Sequence, residues 1–300
     1  MFVSGITGLV GMSFNTQIST TAFVLRFAAS FLSYGFGQAL TDCFQIDTDS
    51  LSSPYRPLTR GVISRMQTFL VSTVGLTFCI AIFASGNLTN LLLGAAAGSG
   101  LATYTYFKRR WWGGPFYNAW IVSVLCSMAF LSGGESFSKL GSSSIVLVLL
   151  CVLFAYANFV LSGYFKDIQA DRATGYNTLP VVFGMKVSSR VSDLFAAVAV
   201  SLAFLCVSEA TSAGHSGAGA IAAWIVFVAA AGVSLFAQVH LHRVTTDNEA
   251  HRAIVPVVHA YILLLSSIII SQKPEWGGFL CLFYAAFISV LTIRPATDQI

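Results

Sequence analysis

Long apolar runs recur along almost the whole chain, and each is close to the length needed to cross a lipid bilayer. A membrane-spanning helix needs about 20 predominantly apolar residues. The pattern predicts helices over residues 1–14, 20–41, 65–85, 88–107, 117–134, 144–165, 188–208, 219–241, 252–271 and 276–293, of which the first is short. We therefore expect an all-α bundle of nine to ten transmembrane spans, with residues 1–300 forming a single integral-membrane domain.

The composition agrees with this pattern. Hydrophobic residues make up 56% of the chain and charged residues only 9%, whereas about a quarter of the residues in a soluble domain are charged. We therefore expect a multi-pass protein surrounded by the lipid bilayer, without nucleic acid as a partner. The six cysteines lack the spacing of a metal site and are expected to pack inside the bundle.

Lysine and arginine residues cluster in the segments that follow the second, fourth, sixth and eighth predicted helices. The opposite loops carry only Lys139 and Lys273. Cytoplasmic loops of membrane proteins carry an excess of these residues. The distribution therefore predicts that the even-numbered helices end in the cytosol and that both termini lie there.

The ends of these helices also alternate in character. An acidic segment follows helices two and six, and a basic segment follows helices four and eight. This repetition predicts two pseudo-repeats, about 1–110 and 117–243, followed by C-terminal helices over 252–293. Membrane proteins built from such repeats place a shared site between the halves.

The two acidic segments lie at residues 41–49 and 164–172 and contain five of the 12 acidic residues of the chain. Carboxylates are costly near hydrocarbon, so acidic groups at this depth indicate a functional site. If residues 38–49 are helical, Asp42 and Asp49 share one face. Gln45 lies between them on that face, and Gln38 precedes them by one turn. Asp167 and Asp171 are also one helical turn apart.

Magnesium binds through a few carboxylates together with substrate phosphate oxygens. Two facing carboxylate pairs would therefore suit Mg²⁺ ions that hold a diphosphate. The predicted metal ligands and catalytic residues are Asp42, Asp49, Asp167 and Asp171. The ions would stabilise the negative charge that develops on a leaving diphosphate.

Other polar residues near these segments are candidates for substrate binding. They are Gln38, Gln45, Arg56, Lys108, Arg109, Asn158, Tyr164, Lys166 and Arg172. The basic residues would contact phosphate oxygens, and an aromatic face such as that of Tyr164 can stabilise a carbocation. Asn158 lies in an otherwise apolar run, where it would contact either the substrate or another helix.

The acidic segments resemble the two signatures of the UbiA-type intramembrane prenyltransferases. The first, TDCFQIDTDSLSSPYRPLTRGVIS (residues 41–64), is similar to NDxxDxxxD followed by PxRP. The second, YFKDIQADRATGYNTLPVVFG (residues 164–184), is similar to KDxxxD followed by GxxTLPVxxG. The match is closest to the chlorophyll synthase and homogentisate prenyltransferase branch. The resemblance implies a bundle of about nine helices, dependence on Mg²⁺, and a prenyl diphosphate donor in a cavity open to the membrane.

The chain departs from this signature at several positions. Thr41 replaces the usual Asn, and Gln45 replaces the usual second Asp. Asp47 lies two residues further on and points away from the helical face that carries Asp42 and Asp49. The span 276–293 is additional to the usual nine.

These features predict a Mg²⁺-dependent prenyltransferase. It would ionise a prenyl diphosphate of monoterpene to diterpene length and transfer the isoprenoid to a lipophilic acceptor, which we expect to be aromatic. The alternative on the same scaffold is a terpene cyclase, in which the prenyl cation reacts with its own double bond. A transporter and a catalytically inactive lipid-binding relative are two further classes, although a transporter would be expected to carry its polar site at mid-membrane.

Overall fold

The computed structural model describes residues 1–213 and 217–293, apart from the side chain of Asn248. The longer elements in these ranges are α-helices, joined by turns and short 3₁₀ segments. They are α1 (Phe2–Ser13), α2 (Thr20–Asp42), α3 (Ile46–Ser52), α4 (Arg65–Ala84), α5 (Thr89–Lys108), α6 (Gly114–Leu131), α7 (Ser143–Tyr164), α8 (Ile168–Ala173), α9 (Leu179–Ser212), α10 (Ala218–Leu241), α11 (Ala250–Gln272) and α12 (Gly277–Ile293). The predicted all-α class is therefore confirmed.

Seven helical segments of the described chain are long and apolar enough to cross a membrane. They are α4, α6, α7, α9, α10, α11 and Pro274–Ile293, which contains α12. Helix α1 is apolar but has only 12 residues, about 18 Å of rise, which is shorter than the hydrocarbon core of a bilayer. Helices α2 and α5 are long enough, but they are rich in serine, threonine and glycine. The structure thus supports seven of the nine to ten predicted spans.

The predicted cytosolic position of the C-terminus concerns residues 294–300, which lie outside the described residues.

The core of the bundle forms around α11. In its most apolar stretch, 78% of the residues are buried, compared with 22% for α4 and 17% for the segment that contains α12. Helix α1 is short but almost entirely buried, packed against α2, α6 and α11. A Cβ atom at Gly11 would lie 2.3 Å from the carbonyl oxygen of Cys126. Glycine at this position therefore allows α1 and α6 to approach closely.

Helix α9 begins earlier than predicted. The apolar pattern placed its start at residue 188, whereas the helix begins at Leu179 with Pro180 in its first turn, where proline is tolerated because no backbone donor is needed there. Gly184 interrupts the helix with φ +75° and ψ 172°, a conformation that is essentially restricted to glycine. The segment 179–183 is thus a separate turn that leads into the membrane span.

Helix α12 attaches to the bundle through aromatic rings. Phe283 contacts Phe2 of α1 and Phe27 of α2, with ring centroids 5.2 Å and 6.0 Å apart. The Nδ1 atom of His259 on α11 lies 2.7 Å from the hydroxyl of Tyr284. The additional C-terminal helix therefore joins the beginning of the chain to α11.

The short helices α3 and α8 pack against each other at one end of the bundle. This end, where α2, α5 and α7 finish at Asp42, Lys108 and Tyr164, is called the motif end below. It brings together the two acidic segments, which are about 120 residues apart in sequence.

Candidate active site

The two acidic segments adopt the same local structure. In each segment a long helix ends, a three-residue turn follows, and a short helix then begins. The last turn residue is Gln45 in the first segment and Asp167 in the second, with similar backbone angles. The amide of Asp49 donates to the Gln45 carbonyl at 2.9 Å, and the amide of Asp171 donates to the Asp167 carbonyl at 2.8 Å. Gln45 and Asp167 therefore occupy equivalent positions, as do Asp49 and Asp171.

The condition that residues 38–49 form one helix is not met, because α2 ends at Asp42 and α3 begins at Ile46. The two carboxylates nevertheless meet at one cation. Arg56 lies with its Nη1 atom 3.1 Å from Asp42 Oδ2 and 2.9 Å from Asp49 Oδ2. Arg56 comes from the loop after α3, so the arginine of the PxRP segment brings these two acids together.

Asp171 connects the two segments. Its side chain is fully buried and accepts hydrogen bonds from Thr48 of the first segment at 3.3 Å and from Thr178 at 3.2 Å. The Lys108 ammonium lies 3.6 Å from its Oδ1 atom. Burial raises the pKa of Asp171 to about 6, although Lys108 acts in the opposite direction. Burial likewise raises the pKa of Asp49 to about 6, against the effect of Arg56.

Lys108 stands between the two segments. Its Nζ atom donates to Gln45 Oε1 at 3.0 Å as well as lying near Asp171. The ammonium also lies 5.6 Å from the ring centre of Tyr164 and 5.2 Å from that of Tyr176, within the range of a cation–π interaction. The position left without a carboxylate by Gln45 is therefore occupied by an amide that binds this lysine.

Tyr164 lies beside Lys108 but is buried. Its hydroxyl lies 2.8 Å from the hydroxyl of Tyr104 on α5. The Tyr164 ring thus packs beside the Lys108 ammonium, and its hydroxyl links α7 to α5.

The other three predicted basic residues, Arg109, Arg172 and Lys166, differ in how exposed they are to solvent. Arg109 is bound to Asp47 at 2.7 Å on the exposed side of the cluster, and Arg172 is exposed. Lys166 is half-buried, and burial lowers its pKa while Asp167 opposes the shift. Arg56 is therefore the cation held by the first acidic segment, Lys108 is the cation held between the two segments, and Arg109 neutralises Asp47.

Asp47 does not take the place of the missing carboxylate. Its Oδ2 atom accepts from Arg109, and its Oδ1 atom accepts from the Tyr176 hydroxyl at 3.0 Å. The side chain is 42% exposed. It thus binds the outer surface of the motif end, away from Asp42 and Asp49.

The fit of Mg²⁺ to this site rests on one unpaired atom and on the chemistry of the ligands. Asp167 Oδ1 is buried and has no hydrogen-bond partner, which is costly for a carboxylate and suits a cation ligand. Within the described ranges, no three acidic, histidine or cysteine side chains are close enough to hold one ion. Mg²⁺ does not require three, since it commonly binds one or two carboxylates together with phosphate oxygens. The four aspartates fit an ion that arrives with a diphosphate.

A cavity begins beside the first acidic segment, and together with the open space at its mouth it contains about 810 Å³ not filled by protein atoms. Gln38 lines it, and its Nε2 atom donates to Asp42 Oδ1 at 2.6 Å. The walls come from α1, α2, α4, α5, α6 and α7 and are mostly apolar. Besides Gln38, the polar lining residues are Ser4, Ser33, Tyr34, Thr41, Asn118 and Tyr156. Asp42 of the first acidic segment thus lies next to one end of this mostly apolar cavity.

Asn158 contacts another helix. Its Oδ1 atom accepts a hydrogen bond from Ser192 on α9, and Ser192 also lies 2.8 Å from Gln238 Oε1 on α10. These groups are buried among α7, α9 and α10. Of the two possibilities for Asn158, the structure favours helix packing over substrate binding.

Sequence reasoning missed Thr48, Thr178 and Tyr176, which position Asp171, Lys108 and Asp47. Thr178 was detectable, because it belongs to the TLPV segment that follows the second acidic motif. Thr48 and Tyr176 carry no local signal of this kind.

The sequence profile of the UbiA prenyltransferase family matches residues 2–268, and the chain therefore belongs to this family. The match includes α1 to α10 and most of α11 and leaves out α12. As the two motifs predicted, the protein is an enzyme of the prenyltransferase class.

Two named relatives illustrate the range of the family. The digeranylgeranylglyceryl phosphate synthase of Thermococcus kodakarensis is 27% identical over 222 residues, which are 71% of this chain and 76% of that protein. The chloroplastic chlorophyll synthase of Arabidopsis thaliana is 28% identical over 166 residues, which are 51% of this chain and 42% of that protein. Both are named as synthases, and the latter belongs to the branch that the motifs indicated.

Solved structures show the same fold. A UbiA homologue from Aeropyrum pernix K1 has a TM-score of 0.74 at 19% identity, covering 90% of this chain and 96% of that chain. A UbiA homologue from Archaeoglobus fulgidus bound to GPP and Mg²⁺ has a TM-score of 0.67 at 18% identity, covering 90% and 95%. The likeness thus extends over most of the bundle.

Proposed function

We propose that the protein is a Mg²⁺-dependent intramembrane prenyltransferase that transfers an isoprenoid from a prenyl diphosphate to a lipophilic, aromatic acceptor. The observation that carries this proposal is that the first acidic segment adjoins the mostly apolar cavity, through the hydrogen bond from Gln38 to Asp42. Such an arrangement suits a substrate with a highly charged head and a hydrocarbon tail. The Archaeoglobus homologue bound to GPP and Mg²⁺ supports it by analogy.

In this proposal Asp42, Asp49, Asp167 and Asp171 hold the metal. Bound Mg²⁺ would neutralise negative charge on the diphosphate as it leaves. Arg56 and Lys108 would donate hydrogen bonds to the phosphate oxygens. Arg56 already lies against Asp42 and Asp49, and Lys108 lies between Gln45 and Asp171. These residues act on the bond between the first prenyl carbon and the diphosphate oxygen, whose electron pair departs with the diphosphate.

The cavity has a second task, which is to keep water from the prenyl cation. Its apolar walls exclude water from the reacting carbon. The aromatic side chains of Tyr34 and Tyr156 line it, and aromatic faces stabilise positive charge. An aromatic carbon of the acceptor then supplies the electron pair for the new carbon–carbon bond, and the C–H bond at that carbon breaks, its proton passing to the released diphosphate.

The orientation follows from the distribution of basic residues. We place the motif end on the cytosolic side, where soluble prenyl diphosphates can reach Arg56, Lys108 and the four aspartates.

The test uses purified protein in lipid nanodiscs. Prenyl diphosphates of two, three and four isoprene units are incubated with phenolic acceptors or a lipid extract, with and without Mg²⁺, and the products are identified by mass spectrometry. We expect a prenylated acceptor that forms only with Mg²⁺. Absence of metal-dependent donor consumption with every combination would overturn the proposal. The variant Asp171→Asn serves as the inactive control.

A terpene cyclase is the second candidate, favoured by the loss of the first-motif carboxylate at Gln45 and its replacement by an amide bound to Lys108. The same incubation without acceptor separates the two. A cyclic hydrocarbon or terpenol from donor alone would identify a cyclase, whereas unreacted or hydrolysed donor supports the transferase.

A further inference from the structure

The end of the cavity opposite the motif end, called the floor, is closed by side chains whose helices are joined by hydrogen bonds. Phe83 of α4 and Met128 of α6 line its far end and are 1% and 3% exposed. Asn90 of α5 is completely buried, and its Nδ2 atom donates to the carbonyl oxygens of Phe83 at 3.0 Å and Met128 at 3.1 Å. One amide group thus holds the ends of α4 and α6 together below the cavity. The floor is therefore a specific structure and not a gap between loosely packed helices.

The depth of the cavity follows from positions along α6. Asn118 lines it near the motif end and Met128 at the floor, and ten residues of helix correspond to about 15 Å. An isoprene unit adds four chain carbons, about 5 Å when extended at ordinary carbon–carbon bond lengths. The cavity is therefore about three isoprene units deep.

We propose that this cavity selects a donor of three isoprene units, and that the floor formed by Phe83 and Met128 excludes a fourth. This inference rests on the proposed prenyl-transfer function. The number of isoprene units that the donor can have is then limited at the end of the bundle opposite the carboxylates.

Gly98 offers a way to change the depth. It lines the same cavity, and a Cβ atom built there meets no other atom within 4 Å. Gly94 lies four residues closer to the floor, about 6 Å along the helix, and a Cβ there would lie 2.6 Å from Ile80. A larger side chain at position 98 would therefore enter free space and remove about one isoprene unit of depth.

The experiment measures binding, so it does not require the acceptor. Thermal stabilisation of the purified protein is titrated in Mg²⁺ with inorganic diphosphate and with prenyl diphosphates of two, three and four units. We expect the wild type to bind the three-unit donor about tenfold or more tightly than the four-unit donor. Gly98→Leu should shift the optimum to two units, and Met128→Ala should shift it to four. Binding of inorganic diphosphate should stay unchanged in both variants, because neither touches the carboxylates.

Matched controls are available on the surface of the bundle. Gly232 of α10 is an exposed helical glycine, and a Cβ atom at this position would have no other atom within 4 Å. Met66 of α4 is 65% exposed. Gly232→Leu and Met66→Ala should keep the wild-type preference. If one cavity variant fails to fold, the other still tests the floor, since the two predict shifts in opposite directions.

One result would contradict the proposed floor, and a different result would contradict the prenyl-transfer function. A length preference that is the same in wild type, Gly98→Leu and Met128→Ala, or a wild type that prefers four units, overturns the proposed floor. If no prenyl diphosphate binds more tightly than inorganic diphosphate, the prenyl-transfer proposal itself fails.

Discussion

Asp171 is the carboxylate most firmly held by its neighbours, since Thr48, Thr178 and Lys108 all contact it. Asp171→Asn keeps the shape and one acceptor oxygen, so at most one of the two threonine hydrogen bonds is retained in its present direction, and it removes the negative charge. We expect turnover to fall by about a hundredfold or more, as when a group that stabilises transition-state charge is lost. Initial rates of Mg²⁺-dependent donor consumption measure the effect.

Asp47→Asn is the matched control, because Asp47 is bound to Arg109 on the exposed side of the site. Its activity should stay within a few-fold of wild type. Near-normal turnover in Asp171→Asn would refute the metal role of Asp171. Complete loss in Asp47→Asn would mean that Asp47 replaces the carboxylate missing at Gln45.

The raised pKa values of Asp49 and Asp171, both about 6, predict a pH dependence of stability. Because burial favours the neutral carboxyl, ionisation of these groups costs folding stability as the pH rises from about 4 through 6. Mg²⁺ binds only the ionised form. We expect Mg²⁺ with diphosphate to raise the melting temperature more at pH 7.5 than at pH 5. Thermal unfolding at both pH values measures this.

The double variant Asp49→Asn/Asp171→Asn removes both titrating groups. Its melting temperature should respond little to Mg²⁺ with diphosphate at either pH. An equal metal-dependent shift at pH 5 and pH 7.5 in the wild type would contradict the assignment of these carboxyls.

At the scale of single elements, the structure shows why both acidic motifs interrupt their helices. In a continuous helix Asp42 and Asp49 would share a face but lie about 10 Å apart along the axis, whereas a turn followed by a short helix allows them to meet at Arg56. The second segment uses the same turn to place Asp167 and Asp171 on the opposite side. This shared form agrees with the predicted pseudo-repeat, which stays a prediction.

The start of α9 makes a testable claim about one glycine. Gly184 has φ +75° and ψ 172°, and a side chain in this region costs about 1–3 kcal/mol. Gly184→Ala should therefore lower the melting temperature and disturb the position of Thr178, which binds Asp171. The measurement is thermal unfolding together with Mg²⁺-dependent stabilisation.

Gly232→Ala provides the comparison, because Gly232 lies inside α10 with open space around it. Alanine is favoured over glycine in a helix interior, so this variant should be as stable as wild type or slightly more so. A Gly184→Ala variant as stable as Gly232→Ala would show that the interruption of α9 is not needed.

At the scale of the whole molecule, α12 closes the bundle on its aromatic side. Phe283 packs against Phe2 and Phe27. Lipid is as apolar as a phenylalanine ring, so attachment of α12 depends on packing and not on the hydrophobic effect. Phe283→Ala should lower stability modestly, by about 1–2 kcal/mol, below the range for a core phenylalanine in a water-soluble protein.

The neighbouring Leu282 is 73% exposed, so Leu282→Ala should leave the melting temperature unchanged. Thermal unfolding in nanodiscs compares the two. Equal melting temperatures for Phe283→Ala and wild type would show that the aromatic contacts do not hold α12.

Much of this architecture could be predicted from the sequence because its signals are local. A run of about 20 apolar residues must become a helix in a bilayer, where each backbone polar group needs a partner within its own segment. Acidic groups at helix ends are too costly to be there without a role. The positions of the helices and of the two acidic segments followed from these costs.

Only the tertiary structure decided which groups meet. Arg56 rather than Arg109 joins Asp42 to Asp49, and Asn158 turns to Ser192 instead of the cavity. The floor at Phe83 and Met128, tied by Asn90, was not visible in the sequence. Such contacts depend on how each helix is rotated about its axis and packed against helices distant in sequence. In an apolar chain most faces of a helix are equally suited to lipid and to protein, so the local pattern leaves that rotation undetermined.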